Sequence, residues 1–127
     1  MWIEYNPNPN NRKGSDCVYR AISKATGKTW DEIYWDLAIL GAEMGDAPVA
    51  NAVWAAYLKS QGYKRRTIPD NCPDCYTVKE FAADHPLDTF ILGTGTHAVT
   101  VQNGNYYDAW DSGNEIPIYY WRKAHGL

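Results

Sequence analysis

The sequence predicts a single α+β domain spanning residues 1–127, with N-terminal helices packed on a C-terminal antiparallel β-sheet. Three observations carry this expectation. Helical periodicity dominates the first half, short β-rich runs separated by Gly or Asn dominate the second, and no repeat or linker divides the 127 residues. A chain of this length can bury a real core without a metal or a disulfide framework.

Residues 1–14 are rich in Asn, Pro and Gly, which favours a loop or a short edge strand wrapped around the domain. Ser15 or Asp16 can cap a first helix, in which Val18, Ala21, Ile22 and Ala25 recur at i, i+3, i+4 and i+7. That helix is expected over 17–26, with Gly27 as its stop. Thr29 and Glu32 in "TWDE" form a capping box for a second helix, expected to end at Gly41. After the loop "AEMGDAP", a third helix starts from Asp46 or Ala47 with Pro48 in its first turn. Val49, Val53, Trp54, Tyr57 and Leu58 face inward and Gly62 closes it.

"YKRRTI" at 63–68 reads as a short strand and "PDNCPDC" as a turn-rich loop. "TVKE" at 77–80 is a second capping box, opening a short helix that ends near His85 and Pro86. The runs "DTFILGTG", "HAVTVQ", "NYYDAW" and "IPIYYWRK" then read as an antiparallel meander.

The net charge is −3 and the basic residues are scattered apart from "YKRR", so there is no electrostatic footprint for nucleic acid or an acidic membrane. No run approaches the length of a membrane span, and "MWIEYNPNPN" has neither a basic nor an apolar signal region, so the expected compartment is the cytoplasm. Ten Tyr and six Trp against two Phe suit a cleft wall or a wet interface as well as a core.

Three cysteines without a secretion signal argue against a disulfide framework. Cys17 sits in the first turn of a helix, where unpaired N–H groups and the positive dipole end favour thiolate. It lies at the rim of the apolar stripe, partly covered yet reachable. A cysteine nucleophile needs an imidazole. His125 falls at the frayed end of the chain and His85 reads as a helix C-cap, whereas His97 begins a strand directly after "GTGT". Asn103-Gly104 suits a two-residue turn, which pairs Gln102 with Asn105, Val101 with Tyr106, Val99 with Asp108 and His97 with Trp110. Asp108 is then the diagonal neighbour of His97 on one face. One extra loop residue would place Asp111 there instead, but Asp111 in "DSGN" also has the role of a turn residue.

The order Cys17 at a helix start, His97 on a strand and Asp108 on the next resembles the papain-like cysteine peptidases. "DAW" at 108–110 is similar to that family's Asn-x-Trp arrangement, in which the Trp shields the bond between the third residue and the histidine. More narrowly, "NPNP…GSDCVYRAISKATG" with "GTHAVTVQNGNYYDAWDSG" resembles small papain-like hypothetical proteins of bacteria and their phages. The resemblance implies a Cys17, His97, Asp108 triad with Trp110 in support, acting without a cofactor on a peptide, isopeptide or other amide bond of a protein or peptide substrate. It also implies an oxyanion donor six residues before the cysteine, which here is Asn11 in place of the family's glutamine. Asn8 or Asn10 are alternatives, and the Cys17 N–H is the second donor. Acidic Asp16 departs from the pattern: it either caps the helix or raises the thiol pKa. The small domain implies a shallow cleft, or one built from the loops at 41–48 and 69–76.

Other readings stay open. The same triad supports deamidation or transamidation, and a papain-like fold can serve as a non-catalytic binding module of a phage or mobile element. Cys72 and Cys75 form a C-x-x-C pair that fits zinc completed by His85 and Asp74 or Asp84, a reversible disulfide, or two plain loop thiols. Zinc would make the chain a metal-stabilised interaction domain.

Overall fold

The computed structural model of the protein describes residues 1–124, so His125 lies outside the described residues. Four helices and a six-stranded mixed sheet make an α+β domain. Helix α1 spans Cys17–Thr26, and Gly27 closes it in the left-handed region (φ 77°) with its N–H on the Ser23 carbonyl. Helix α2 spans Trp30–Met44 behind the Thr29/Glu32 capping box. It runs past Gly41, the expected stop, and ends at Gly45. Gly41 has a different purpose: a Cβ there would lie 2.8 Å from the Asp46 carbonyl oxygen and 3.2 Å from Pro48, so its bare backbone lets the following loop fold back across the helix.

That fold-back delays α3, which spans Asn51–Ser60 instead of starting near Asp46. Pro48 and Val49 precede the helix, and Val49 is 39% exposed where an inward position was expected. Val53, Trp54, Tyr57 and Leu58 are buried. Helix α4 spans Val78–Asp84 behind the Thr77/Glu80 capping box, and His85 is its C-cap residue.

The strands are β1 (Trp2–Glu4), β2 (Tyr63–Thr67), β3 (Thr89–Gly93), β4 (Ala98–Gln102), β5 (Asn105–Asp108) and β6 (Tyr119–Lys123). Their spatial order is β1-β5-β4-β3-β6-β2. Two features correct the expected antiparallel meander. Strand β1 pairs with β5 in parallel, which the long helical connection between them permits. Strand β6 cannot follow β5, whose outer edge β1 occupies, and pairs with β3 instead. The Asn103-Gly104 turn sets the register, with Gln102 opposite Asn105 and Val101 opposite Tyr106.

The helices cover both faces of the sheet. On one, α1, α2 and α3 bury Ile22, Ile33, Leu37 and Leu58 against Ile91 and Trp121. On the other, α4 buries Val78 and Phe81 against Phe90, Leu92, Val99 and Val101. Each fully buried aliphatic side chain contributes about 1.5–3 kcal/mol relative to exposure. The buried Thr100 hydroxyl donates to the Ala21 carbonyl at 2.6 Å, tying the centre of the sheet to α1. The N-terminus of α1 is thereby held over the ends of β4 and β5. No helix among the described residues is long and apolar enough to cross a membrane.

Candidate active site

Cys17 is the first residue of α1, half-buried, and the free cysteine among the described residues. It packs at the edge of the α1–α3 core. The turn before β4 presents His97 to it: the Thr94 N–H donates to the His97 carbonyl at 2.9 Å, and Gly95 takes φ 96°, a conformation that favours glycine. His97 Nε2 lies 2.5 Å from Asp108 Oδ2, and His97 lines the same cleft as Cys17.

Asp108 reaches His97 by a route other than the expected one. The β4–β5 ladder ends at Thr100 opposite Tyr107, so the expected Val99–Asp108 and His97–Trp110 pairs do not form. Asp108 pairs with Glu4 of β1 instead. Beyond the last rung its carboxylate turns toward α1, whereas Val99 stays on the α4 face. Asp111 is a turn residue: its carboxylate accepts from the Tyr106 hydroxyl at 2.6 Å and the Gly113 N–H at 3.0 Å. The Trp110 ring lies 4.9 Å from the His97 ring, tilted by 40°, with 44% of the residue exposed.

Two residues absent from the expected site complete it. Arg20, one turn along α1 from Cys17, is 5% exposed and bridges two carboxylates. One of its terminal nitrogens meets Asp16 and the other lies 3.1 Å from Asp108 Oδ1. Ser112 donates to Asp108 Oδ2 at 2.6 Å, and the Ala109 N–H donates to Oδ1 at 2.8 Å. Asp108, 1% exposed, is therefore a fully partnered buried carboxylate.

Asp16 is neither a free charge nor a side-chain cap. It accepts from Arg20, from Asn8 Nδ2 at 3.1 Å and from Trp30 Nε1 at 3.1 Å, and makes no capping bond to the helix. The Asp16–Arg20 spacing of i, i+4 was the available sequence signal for this pair. Its burial depends on Asp108 arriving from the far end of the chain.

The electrostatics follow from these contacts. Burial alone pushes the Cys17 thiol up, but the His97 ring, the Ala98 N–H and the Arg20 charge outweigh it and hold the pKa below its ordinary value. Burial alone pushes His97 down, but bonds to Asp108 and Cys17 raise it to about 9. For Asp108 burial again opposes the charge, and His97, Ser112 and the Ala109 N–H overcome it, so its pKa is lowered. These contacts favour the charged form of each group: the Cys17 thiolate, the His97 imidazolium and the Asp108 carboxylate.

A cleft of about 250 Å³ opens over Cys17 and His97, with Val49, Asn51, Trp54 and Tyr119 among its walls. The loops expected to build it, 41–48 and 69–76, do not line it. The 69–76 loop instead lies against Ile116, Pro117 and Ile118. Asn11, the expected oxyanion donor, is also absent from the cleft. It sits in a turn at φ 54°, with its Oδ1 accepting from Asn6 Nδ2 at 3.4 Å. The Asn8 side chain is held by Asp16, and Asn10 is exposed in the same turn.

Cys72 and Cys75 are joined in a disulfide. His85 stacks on Phe81 with ring centroids 3.8 Å apart, and its Nδ1 lies 2.8 Å from the Phe81 carbonyl oxygen, the C-cap role read from sequence. Asp84 accepts from the Tyr76 hydroxyl at 2.6 Å. Among the described residues no three His, Cys, Asp or Glu side chains gather to hold a metal ion. No family model matches the chain, and neither curated proteins nor solved structures give a significant match.

Proposed function

We propose that the protein is a cysteine-nucleophile hydrolase of papain-like type, acting on an amide bond of a protein or peptide in the cytoplasm through Cys17, His97 and Asp108. The observation that carries this reading is Cys17 and His97 lining one cleft, with the His97 ring hydrogen-bonded to the buried Asp108 and the pKa of the thiol lowered by its neighbours. A structural role for Cys17 would need none of these partners. A nucleophilic role uses all of them.

In this mechanism the Cys17 sulfur attacks the acyl carbon as a thiolate already paired with His97. The carbonyl π pair moves to oxygen, and the N–H at the start of α1 donates to it. His97, protonated near neutral pH, gives its proton to the leaving nitrogen as the C–N bond breaks. The resulting neutral imidazole takes a proton from water, whose oxygen attacks the thioester and releases the acid. Asp108 keeps the ring oriented throughout and stabilises its charged form. Arg20 and Ser112 hold Asp108 in place.

Deamidation and transamidation share the first half of this sequence and differ in the acyl group and the acceptor. Incubation with a peptide library, read by mass spectrometry with Cys17→Ala as control, separates them. Hydrolysis splits peptides and adds one water across the fragments, deamidation converts side-chain amides, and transamidation joins peptides. No product that depends on Cys17, from a protein whose thiol reacts no faster than free cysteine, would leave only the binding-module reading.

A further inference from the structure

The cleft holds a side chain whose chemistry is fixed by its neighbour. Asn51, the first residue of α3, lines the same cleft as Cys17 and His97. Its Oδ1 accepts from the indole Nε1 of Trp54 at 3.0 Å. An indole nitrogen can only donate, so the amide atom facing it must be the oxygen. The NH2 group is therefore the free end of an exposed side chain on the wall between this cleft and a second hollow beside Arg65 and Trp121. Among the described residues no acceptor takes it.

The hydroxyls of Ser15, Thr96 and Tyr119 line the cleft as well, but a hydroxyl rotates and can accept as readily as it donates. Asn51 has no such freedom, because turning its amide would set NH2 against N–H at Trp54, whose side chain is buried. The Cys17 N–H lies in the first turn of α1, where no preceding turn supplies a carbonyl and Asp16 gives no side-chain cap. A donor fixed before reaction, together with this backbone N–H, is what a developing oxyanion requires.

We propose that Asn51 is the side-chain donor of the oxyanion hole, taking the place expected of Asn11. This rests on the nucleophilic reading of Cys17. When the thiolate attacks, the S–C bond forms and the carbonyl π pair moves to oxygen. Asn51 Nδ2–H and the Cys17 N–H then donate to that oxygen. On collapse the carbonyl re-forms and the leaving group departs with its electron pair.

The test compares two reagents on the single free thiol. p-Nitrophenyl acetate acylates through a tetrahedral oxyanion, whereas iodoacetamide alkylates by displacement at carbon without forming one. Both consume thiolate, so the ratio of their rates cancels any change in thiol ionisation. Asn51→Ala should lower the acylation-to-alkylation ratio about 100-fold, the loss typical of one oxyanion donor. Asn51→Asp keeps an acceptor for Trp54 but turns the donor into an anion, and it should lower the ratio at least as far while melting like the wild type. A wild-type ratio in both variants would overturn the proposal. Wild-type protein that is alkylated rapidly yet acylated no faster than free cysteine would overturn it too. If Cys17 meets both reagents no faster than free cysteine does, the nucleophilic reading itself fails, and the proposal fails with it.

Discussion

Arg20 is the test case for how the fold and the candidate site depend on one another. Arg20→Met keeps most of the apolar stem and removes the guanidinium that joins Asp16 to Asp108. Both carboxylates stay almost wholly buried, at 5% and 1% exposure, and lose their charge partner. Each retains other donors: Asn8 and Trp30 at Asp16, and His97, Ser112 and the Ala109 N–H at Asp108. The cost therefore belongs at the lower end of the range for breaking a buried pair, about 3 kcal/mol. For a domain of this size that lowers Tm by roughly 12 °C. Reversible urea and thermal unfolding followed by circular dichroism at neutral pH reads this directly. Adding Asp16→Asn to Arg20→Met should recover part of the loss, because it neutralises one of the stranded charges. A cost below about 1 kcal/mol, the worth of an exposed ion pair, would refute the reasoning. The substitution also removes a charge that helps hold the Cys17 thiol down, so the thiol should titrate higher in Arg20→Met than in wild type.

Further outcomes follow from other contacts. Gly41→Ala places a Cβ 2.8 Å from the Asp46 carbonyl, and displacing the returning loop should cost about 1–3 kcal/mol in urea unfolding. Thr100→Val removes the hydroxyl that donates to the Ala21 carbonyl, which keeps its bond within α1, so it should cost about 0.5–1.5 kcal/mol by the same measurement. Asp108 has its pKa lowered in the folded state, so the unfolded chain takes up its proton first as pH falls. Its contribution is present above the ordinary carboxylate pKa and is lost as pH drops through the folded value. Urea midpoints should accordingly fall less steeply on acidification in Asp108→Asn than in wild type, and parallel acid limbs would contradict that assignment.

What could be read from the sequence was local. The Thr29/Glu32 and Thr77/Glu80 capping boxes, the Gly27 stop and the Asn103-Gly104 turn each depend on residues a few positions apart, and the structure contains them all. The placement of Cys17 at a helix start was legible for a related reason, whereas Asp108 meets His97 only beyond the last rung of the hairpin, where it does not pair with Val99 as expected. The long-range features were not. Whether β1 would lie parallel to β5, and β6 beside β3, depends on which sheet edges remain open after the hairpin forms. Gly41 reads as a helix stop because its real role, yielding to a returning backbone, leaves no periodic trace. The Arg20 pair with Asp16 is local, but its second partner, Asp108, lies 88 residues away and leaves no spacing signal. Asn11 stands at the spacing that the papain-like resemblance implies, but its positive φ turns it toward Asn6 and away from the cleft. Asn51, which does line the cleft, is more than thirty residues from Cys17 and carries no spacing signal.

If His97 holds Cys17 as a thiolate, the pH profile of iodoacetamide alkylation will record it. Wild-type Cys17 should reach its alkylation plateau at a lower pH than free cysteine does, with any further change near pH 9 as the imidazolium loses its proton. His97→Ala should move the rise to the ordinary thiol range near about pH 8.5. A wild-type profile that rises only at or above that range, and that His97→Ala leaves in place, would show that His97 does not hold the thiolate.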